Sequence, residues 1–209
     1  MPPDYRLIAV TAPELYEGQD VLDACCAAVG GGATAVQLRV KHSNAAELCR
    51  TTEQLMRIVD VPVYVNDRLD VALAAGAHGV HLGAADLPPG RVRAIVPSKL
   101  RVGLSVGSHT EAHEAAEAPA HYWSLGPFAH TMSKADAGAA LGQEGFRALR
   151  SLVPEGIPVI GIGGIDEENV SDVVSAGARG VAIISAIFGA ADIEHATRRI
   201  RDVLDASLC

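Results

Sequence analysis

One turn-and-strand signature comes round three times in this 209-residue chain and a fourth time in weaker form. GGATAVQLR at 31–39, GAHGVHLG at 76–83 and GARGVAIIS at 177–185 each read as a glycine closing a helix, a short turn and an apolar strand. APAHYWSLG at 118–126 is a degraded copy. Other strand-like runs fall between the copies: YRLIAVT at 5–11, VPVYVN at 61–66, LRVGLS at 100–105 and IPVIGIGG at 157–164. Helical periodicity fills the gaps at 19–29, 44–59, 69–75, 89–95, 109–117, 143–153, 167–176 and 191–206.

Nearly continuous apolar strands with a helix in every gap imply a parallel sheet covered on its outer face. Eight such units in a chain of this length predict an α/β fold, a (β/α)8 TIM barrel occupying residues 1–209 as one domain. A doubly wound open sheet is the alternative. The composition agrees with a core of small aliphatic residues, being 49% hydrophobic but only 4% aromatic.

A formal charge of −8 without any run of Lys or Arg argues against nucleic acid as a partner, since phosphate backbones need clustered cations. No apolar run is long enough to span a bilayer, and MPPDYRLIAV lacks the basic start of a signal peptide, so no membrane partner and a cytoplasmic setting are expected. Cys25, Cys26, Cys49 and Cys209 form no CxxC and are expected to be plain thiols. A homo-oligomer is left open.

In a barrel the chemistry gathers at the C-terminal strand ends, where the βα loops converge. Gln37, Arg39 and Lys41 alternate along QLRVK and share one face, placing two cations in one mouth, which suits an anion. The run VPVYVN stops at Asn66 and Asp67, and the next loop carries Asp86. Two carboxylates beside two cations suit Mg²⁺, which takes oxygen ligands and substrate phosphates. The alternatives are that Asp67 pairs with Arg68 or Arg39, and that Asp86 caps the helix starting near Pro88.

Ser105 ends strand 5. The long loop GPFAHTMSKADAGAALGQEG after strand 6 brings Thr131, Ser133 and Lys134 through a segment with too little apolar bulk to pack. Gly163 and Gly164, with Ile184, Ser185 and a following helix start, match the phosphate site many barrels build after strands 7 and 8. Two anionic small molecules are expected to meet here.

QLRVK, VNDRLDVALAAGAHGVHLGAADLP, GLS, LGPFAHTMSK and IPVIGIGGI followed by AGARGVAIISAIF resemble, in order, the thiamine phosphate synthase family. That family joins 4-amino-5-hydroxymethyl-2-methylpyrimidine diphosphate to 4-methyl-5-(2-hydroxyethyl)thiazole phosphate and releases pyrophosphate. The resemblance implies that Gln37, Arg39, Lys41, Asn66, Ser105 and Lys134 contact the pyrimidine diphosphate. Arg39, Lys41, Lys134 and Ser105 are the catalytic set within it, and Asp67 and Asp86 hold Mg²⁺. It implies that Thr131, Ser133, Gly164, Ile184 and Ser185 hold the thiazole phosphate.

The sequence departs from the family at AVTAPE, which lacks an Asp after the first-strand Thr, and at Val40, Gly107 and His130. A second reading is the thiazole tautomerase branch of the superfamily, an isomerase that commonly carries a His where this chain has Pro127. A third is a non-catalytic protein that binds thiazole or thiamine phosphate.

Overall fold

In the computed structural model, which describes residues 3–16, 18–40, 43–117, 120–133 and 138–208, eight parallel strands close into a barrel. They are β1 (Leu7–Val10), β2 (Ala35–Leu38), β3 (Val63–Asn66), β4 (Gly79–Leu82), β5 (Arg101–Val106), β6 (Tyr122–Leu125), β7 (Val159–Ile162) and β8 (Val181–Ile183). The seam that closes it pairs Leu7 with Val181, Ile8 with Ala182 and Ala9 with Ile183. That pairing overturns the open-sheet alternative.

The helices α1 (Val21–Gly30), α2 (Ala45–Ile58), α3 (Leu69–Ala75), α4 (Pro89–Ile95), α5 (His109–Ala116), α6 (Gly142–Arg150) and α7 (Val170–Ser175) follow the first seven strands. The last stretch differs from expectation. The apolar run GVAIIS leaves the sheet at Ile183, and a short helix α8 (Ser185–Phe188) intervenes before α9 (Ile193–Leu208). No helix among the described residues is long and apolar enough to cross a membrane.

The apolar residues fall into two layers. One lies between sheet and helices, with Trp123, Phe146, Phe188 and Leu55 fully buried. The other fills the barrel itself, where Tyr5, Tyr64 and Tyr122 form an aromatic plug with Ile8, Val10, Ala35, Ile160 and Ala182. Tyr64 and Tyr122 meet edge to face at 5.8 Å, and Tyr5 lies 4.6 Å from Tyr122, distances at which ring pairs attract. Strands β4 and β5 make room for this plug by offering glycine. A Cβ on Gly79 would land on the Tyr64 ring, and one on Gly103 on the Tyr122 ring.

The repeated signature has a structural meaning at the N-terminal rim. In each copy a residue one or two positions before the even-numbered strand donates its backbone N–H to the preceding odd strand: Thr34 to Leu7, His78 to Val63, His121 to Val102 and Arg179 to Val159. In three copies its side chain also accepts a backbone N–H in return. Leu7 donates to Thr34 Oγ1 at 2.9 Å, Val63 to His78 Nδ1 at 3.1 Å and Val102 to His121 Nδ1 at 3.0 Å. Arg179 has no acceptor, so the fourth copy keeps only the backbone half. The degraded copy at 118–126 thus keeps the full device.

Cys25, Cys26 and Cys49 are free thiols. Burial pushes the Cys25 thiol up to about 12, which keeps it protonated and unreactive. Cys209 lies outside the described residues.

Burial, then the nearby Arg101, holds the His78 imidazole below its ordinary value of 6.5, and the same two causes act on His121. The unfolded chain therefore binds protons more readily than the folded one, so stability from these sites is present above about pH 6.5 and is lost as pH falls below it. Both rings are partly exposed, so the effect is modest. Urea unfolding at pH 7.5 and pH 5 should show this loss. His78→Asn with His121→Asn, which keeps an acceptor at the same reach but does not titrate, should flatten it.

Candidate active site

The C-terminal mouth of the barrel is organised from β1 outward. Thr11, fully buried just past β1, accepts the Arg39 N–H at 2.8 Å and donates to the Arg39 carbonyl at 2.9 Å. This double bond of side chain to backbone fixes where Arg39 leaves β2. The Arg39 side chain is only 13% exposed, and its Nη1 lies 3.7 Å from Glu14 Oε1 in the turn Pro13–Leu15, too far for a hydrogen bond. Gln37, 2% exposed, donates from Nε2 to Asn66 Oδ1 at 2.6 Å.

Gln37 Oε1 and Arg39 Nη1 are buried with no hydrogen-bond partner among the described residues. Such atoms are costly unless something polar meets them, and at the mouth of a barrel a ligand can. The structure thus brings together Gln37, Arg39 and Asn66 from the expected set. Lys41 and Lys134 lie outside the described residues.

Asp67 follows β3 in the left-handed backbone region, at φ 63°, and its N–H donates to the His81 carbonyl at 2.8 Å. That conformation costs energy for any residue but glycine, though Asp tolerates it better than most. The alternative partner Arg68 is committed elsewhere, its guanidinium forked onto Asp70 at 2.9 and 2.6 Å. Asp86 does not cap α4, whose start has no side-chain cap. Its Oδ2 instead accepts the Gly83 N–H at 2.7 Å and closes its own loop.

Among the described residues no cluster of three or more His, Cys, Asp or Glu could hold a metal ion. Asp67 and Asp86 offer oxygen only, and no more than two carboxylates. That donor set fits Mg²⁺, which commonly takes one or two carboxylates and completes its shell with phosphate and water.

Between β4 and β6 the sequence reading missed a chain of polar groups. Ser105 Oγ lies 2.8 Å from His81 Nε2, and His81 Nδ1 lies 2.9 Å from the Tyr122 hydroxyl. His81 is 2% exposed and stacks on the Tyr122 ring at 5.6 Å. Complete burial raises the Tyr122 phenol well above its ordinary range, so it is protonated. With His81 as its hydrogen-bond partner, the protonated phenol is set to donate to Nδ1 in the tautomer that carries its proton on Nε2. In that tautomer Nε2 donates to Ser105, which leaves the Ser105 O–H to donate into the mouth. The signal in the sequence was a histidine on the interior face of an apolar strand.

Ser105 opens onto a cavity of about 460 Å³ that also meets Ser124, Glu111, Pro127, Ile162 and Ile184. Glu111 is held by the start of α5: its N–H donates to Ser108 Oγ at 3.2 Å, and its Oε2 accepts the Gly107 N–H at 2.7 Å.

Across the mouth, Thr131, Ser133, Gly164, Ile184 and Ser185, the residues that the resemblance assigns to the thiazole phosphate, line one small pocket. Thr131, Ser133, Gly163 and Ile184 border the larger cavity too, so the two spaces adjoin. Gly164 has φ 66°, and a Cβ there would press on the His130 carbonyl at 2.6 Å. Asn169, another residue missed from sequence, donates to the Gly164 carbonyl at 2.8 Å and accepts the Asp166 N–H at 3.1 Å. It anchors the glycine loop.

Comparison with known proteins meets this geometry. A family model described as thiamine monophosphate synthase matches residues 7–187, running from β1 into α8 and so across every strand end that builds the mouth. The chain belongs to the thiamine monophosphate synthase family. A thiamine-phosphate synthase from Moorella thermoacetica is 42% identical over 205 residues, covering 97% of each chain. One from Methanoculleus marisnigri is 43% identical over 206 residues, again covering 97% of each.

Among solved structures, a thiamine phosphate pyrophosphorylase from Pyrococcus furiosus superposes with a TM-score of 0.89 at 36% identity, covering 100% of this chain and 99% of that one. An orotidine 5'-phosphate decarboxylase from Pyrococcus horikoshii, at 18% identity and a TM-score of 0.71, shares the fold alone. Membership of the thiamine monophosphate synthase family makes this chain an enzyme of thiamine biosynthesis and a transferase, which sets aside the isomerase and non-catalytic readings.

The polarity of the buried chain can be read directly. The ¹⁵N shifts of His81 should show Nε2 protonated and Nδ1 bare, and Tyr122→Phe, which removes the donor to Nδ1, should shift that tautomer balance. A His81 protonated at Nδ1 in the wild-type protein would mean that the chain runs the other way.

Proposed function

We propose that this enzyme couples 4-amino-5-hydroxymethyl-2-methylpyrimidine diphosphate with 4-methyl-5-(2-hydroxyethyl)thiazole phosphate to give thiamine phosphate and pyrophosphate. The observation that carries this reading is the division of one mouth into two polar halves. A buried guanidinium nitrogen and amide oxygen have no hydrogen-bond partner among the described residues on the β2 side, while a glycine and hydroxyl pocket sits beyond β7 and β8.

In this reading Arg39 binds the diphosphate, with Lys41 and Lys134 supplying further positive charge as it leaves. Charge that grows on a leaving group in a partly dry site is where fixed cations lower a barrier most. Asn66 holds Gln37 so that its free oxygen faces the pyrimidine side. Ser105, oriented through His81, donates to the same substrate. Departure of the diphosphate leaves a pyrimidine-stabilised cation that the thiazole nitrogen captures, so no general base is needed. Thr131, Ser133, Gly164, Ile184 and Ser185 hold the thiazole phosphate close enough for that capture. Asp67 and Asp86 would hold Mg²⁺, which when bound adds positive charge at the diphosphate oxygens.

Mixing the two substrates with the purified protein tests the assignment, with thiamine phosphate and pyrophosphate expected in equal amounts and only while Mg²⁺ or Mn²⁺ is present. Full turnover in excess chelator would remove the metal from the proposal. Asp86→Asn keeps an acceptor for the Gly83 N–H but loses the charge, so the Mg²⁺ concentration for half-maximal rate should rise at least ~10-fold.

Ser185→Glu places a negative charge in the proposed thiazole phosphate pocket. It should raise KM for the thiazole phosphate far more than for the pyrimidine diphosphate, and steady-state kinetics in each substrate measure the difference. Equal losses would mean that the two anion sites are not separate.

A further inference from the structure

Ser124 stands apart from every residue discussed so far. It lies in the middle of β6, is 0% exposed, and its Oγ is buried with no hydrogen-bond partner among the described residues. Its Cα pairs in register with that of Ser105, so the two side chains emerge side by side on the same face of the sheet. Both border the 460 Å³ cavity. A serine hydroxyl in a strand interior usually finds a carbonyl or a neighbouring side chain, because leaving it dry and unpaired costs stability. Here the fold carries that cost at the floor of a cavity.

The surroundings restrict what can meet it. Pro127, Ile162 and the methyl groups of Ala84 and Ala85 give this cavity apolar walls, and among the described residues the one charged side chain lining it is the Glu111 carboxylate. A phosphate is disfavoured beside a carboxylate, whereas a flat, uncharged heteroaromatic ring suits such walls. Of the two hydroxyls on the floor, Ser105 accepts from His81 Nε2 when the chain runs from Tyr122 through His81, which frees its proton to donate. Among the described residues nothing engages the lone pairs or the proton of Ser124. One donor beside one acceptor matches a ring edge on which an acceptor nitrogen adjoins an amino group.

We infer that Ser124 is a further substrate-binding residue, accepting a hydrogen bond from the exocyclic amine of the aminopyrimidine while Ser105 donates to the adjacent ring nitrogen. This rests on the coupling reaction proposed above and deepens it. Ser124 is in this respect a residue tuned for the ligand at the expense of the empty protein.

The decisive variant is Ser124→Ala, read in three ways. Binding of the pyrimidine diphosphate, measured by titration calorimetry, should weaken about 3- to 10-fold, the range of one neutral hydrogen bond. Binding of the thiazole phosphate should not change. Without ligand the variant should melt about 2 °C or more above the wild type, because an unpaired buried hydroxyl has been removed. A residue with a merely structural role would give the opposite sign. With an analogue that lacks the amino group, wild type and variant should bind equally.

Unchanged affinity for the pyrimidine diphosphate, or a lowered melting temperature, overturns the inference. A wild-type protein that binds no aminopyrimidine diphosphate at all would fail the coupling reaction and this inference together. A wild-type protein that binds it, with the Ser124→Ala variant binding it as tightly, would fail this inference alone.

Discussion

Everything at the mouth depends on how the barrel interior is filled. A closed eight-stranded parallel barrel has a fixed bore, and side chains must occupy it without voids. This chain places three of its four tyrosines in the N-terminal half of the bore, laid across Gly79 and Gly103. The plug carries the apolar packing there, so the C-terminal half can be polar: Gln37, Asn66, His81, Ser105 and Ser124 all project above it. The lower half is tight so that the upper half can hold unpaired groups ready for a ligand.

The plug also reaches into the chemistry. The Tyr122 ring is a packing element, while its hydroxyl sets the imidazole of His81 and through it the direction of the Ser105 proton. Packing and polarity are therefore carried by the same side chain. Changes deep in the bore would be felt at the mouth as a change of hydrogen-bond direction as well as of position.

How much of this the sequence revealed follows from the range of each signal. α3 and α4 begin and end where periodicity and flanking Gly and Pro put them, because those signals are local. The β8 to α8 boundary was not visible, since Ile183, Ile184 and Ser185 read equally well as strand and only the barrel rim decides where the sheet stops. Gln37 and Asn66 were picked out as polar residues ending apolar runs, and they proved to be bonded to each other across two strands. Asp86 was ambiguous because a carboxylate three residues before a Pro-initiated helix can cap it or close its own turn, and the backbone chose the turn. The partners of His81, and the role of Ser124 altogether, were not legible for a different reason. Both rest on which neighbours the two residues have in adjacent strands, and no local pattern encodes cross-strand register.

The rim device built from Thr34, His78, His121 and Arg179 makes the barrel a chain of two-strand modules, each stitched at its base by the residue that opens its second strand. Within a module the stitch supports register using residues close in sequence, while register between modules is carried by the backbone ladders β2–β3, β4–β5 and β6–β7 and by closure of the β1–β8 seam. Chain breaks are thus not equivalent around the ring. A circular permutant opened after an even strand leaves every module as one continuous segment with its stitch intact, whereas one opened after an odd strand must reassemble a module from opposite ends of the chain.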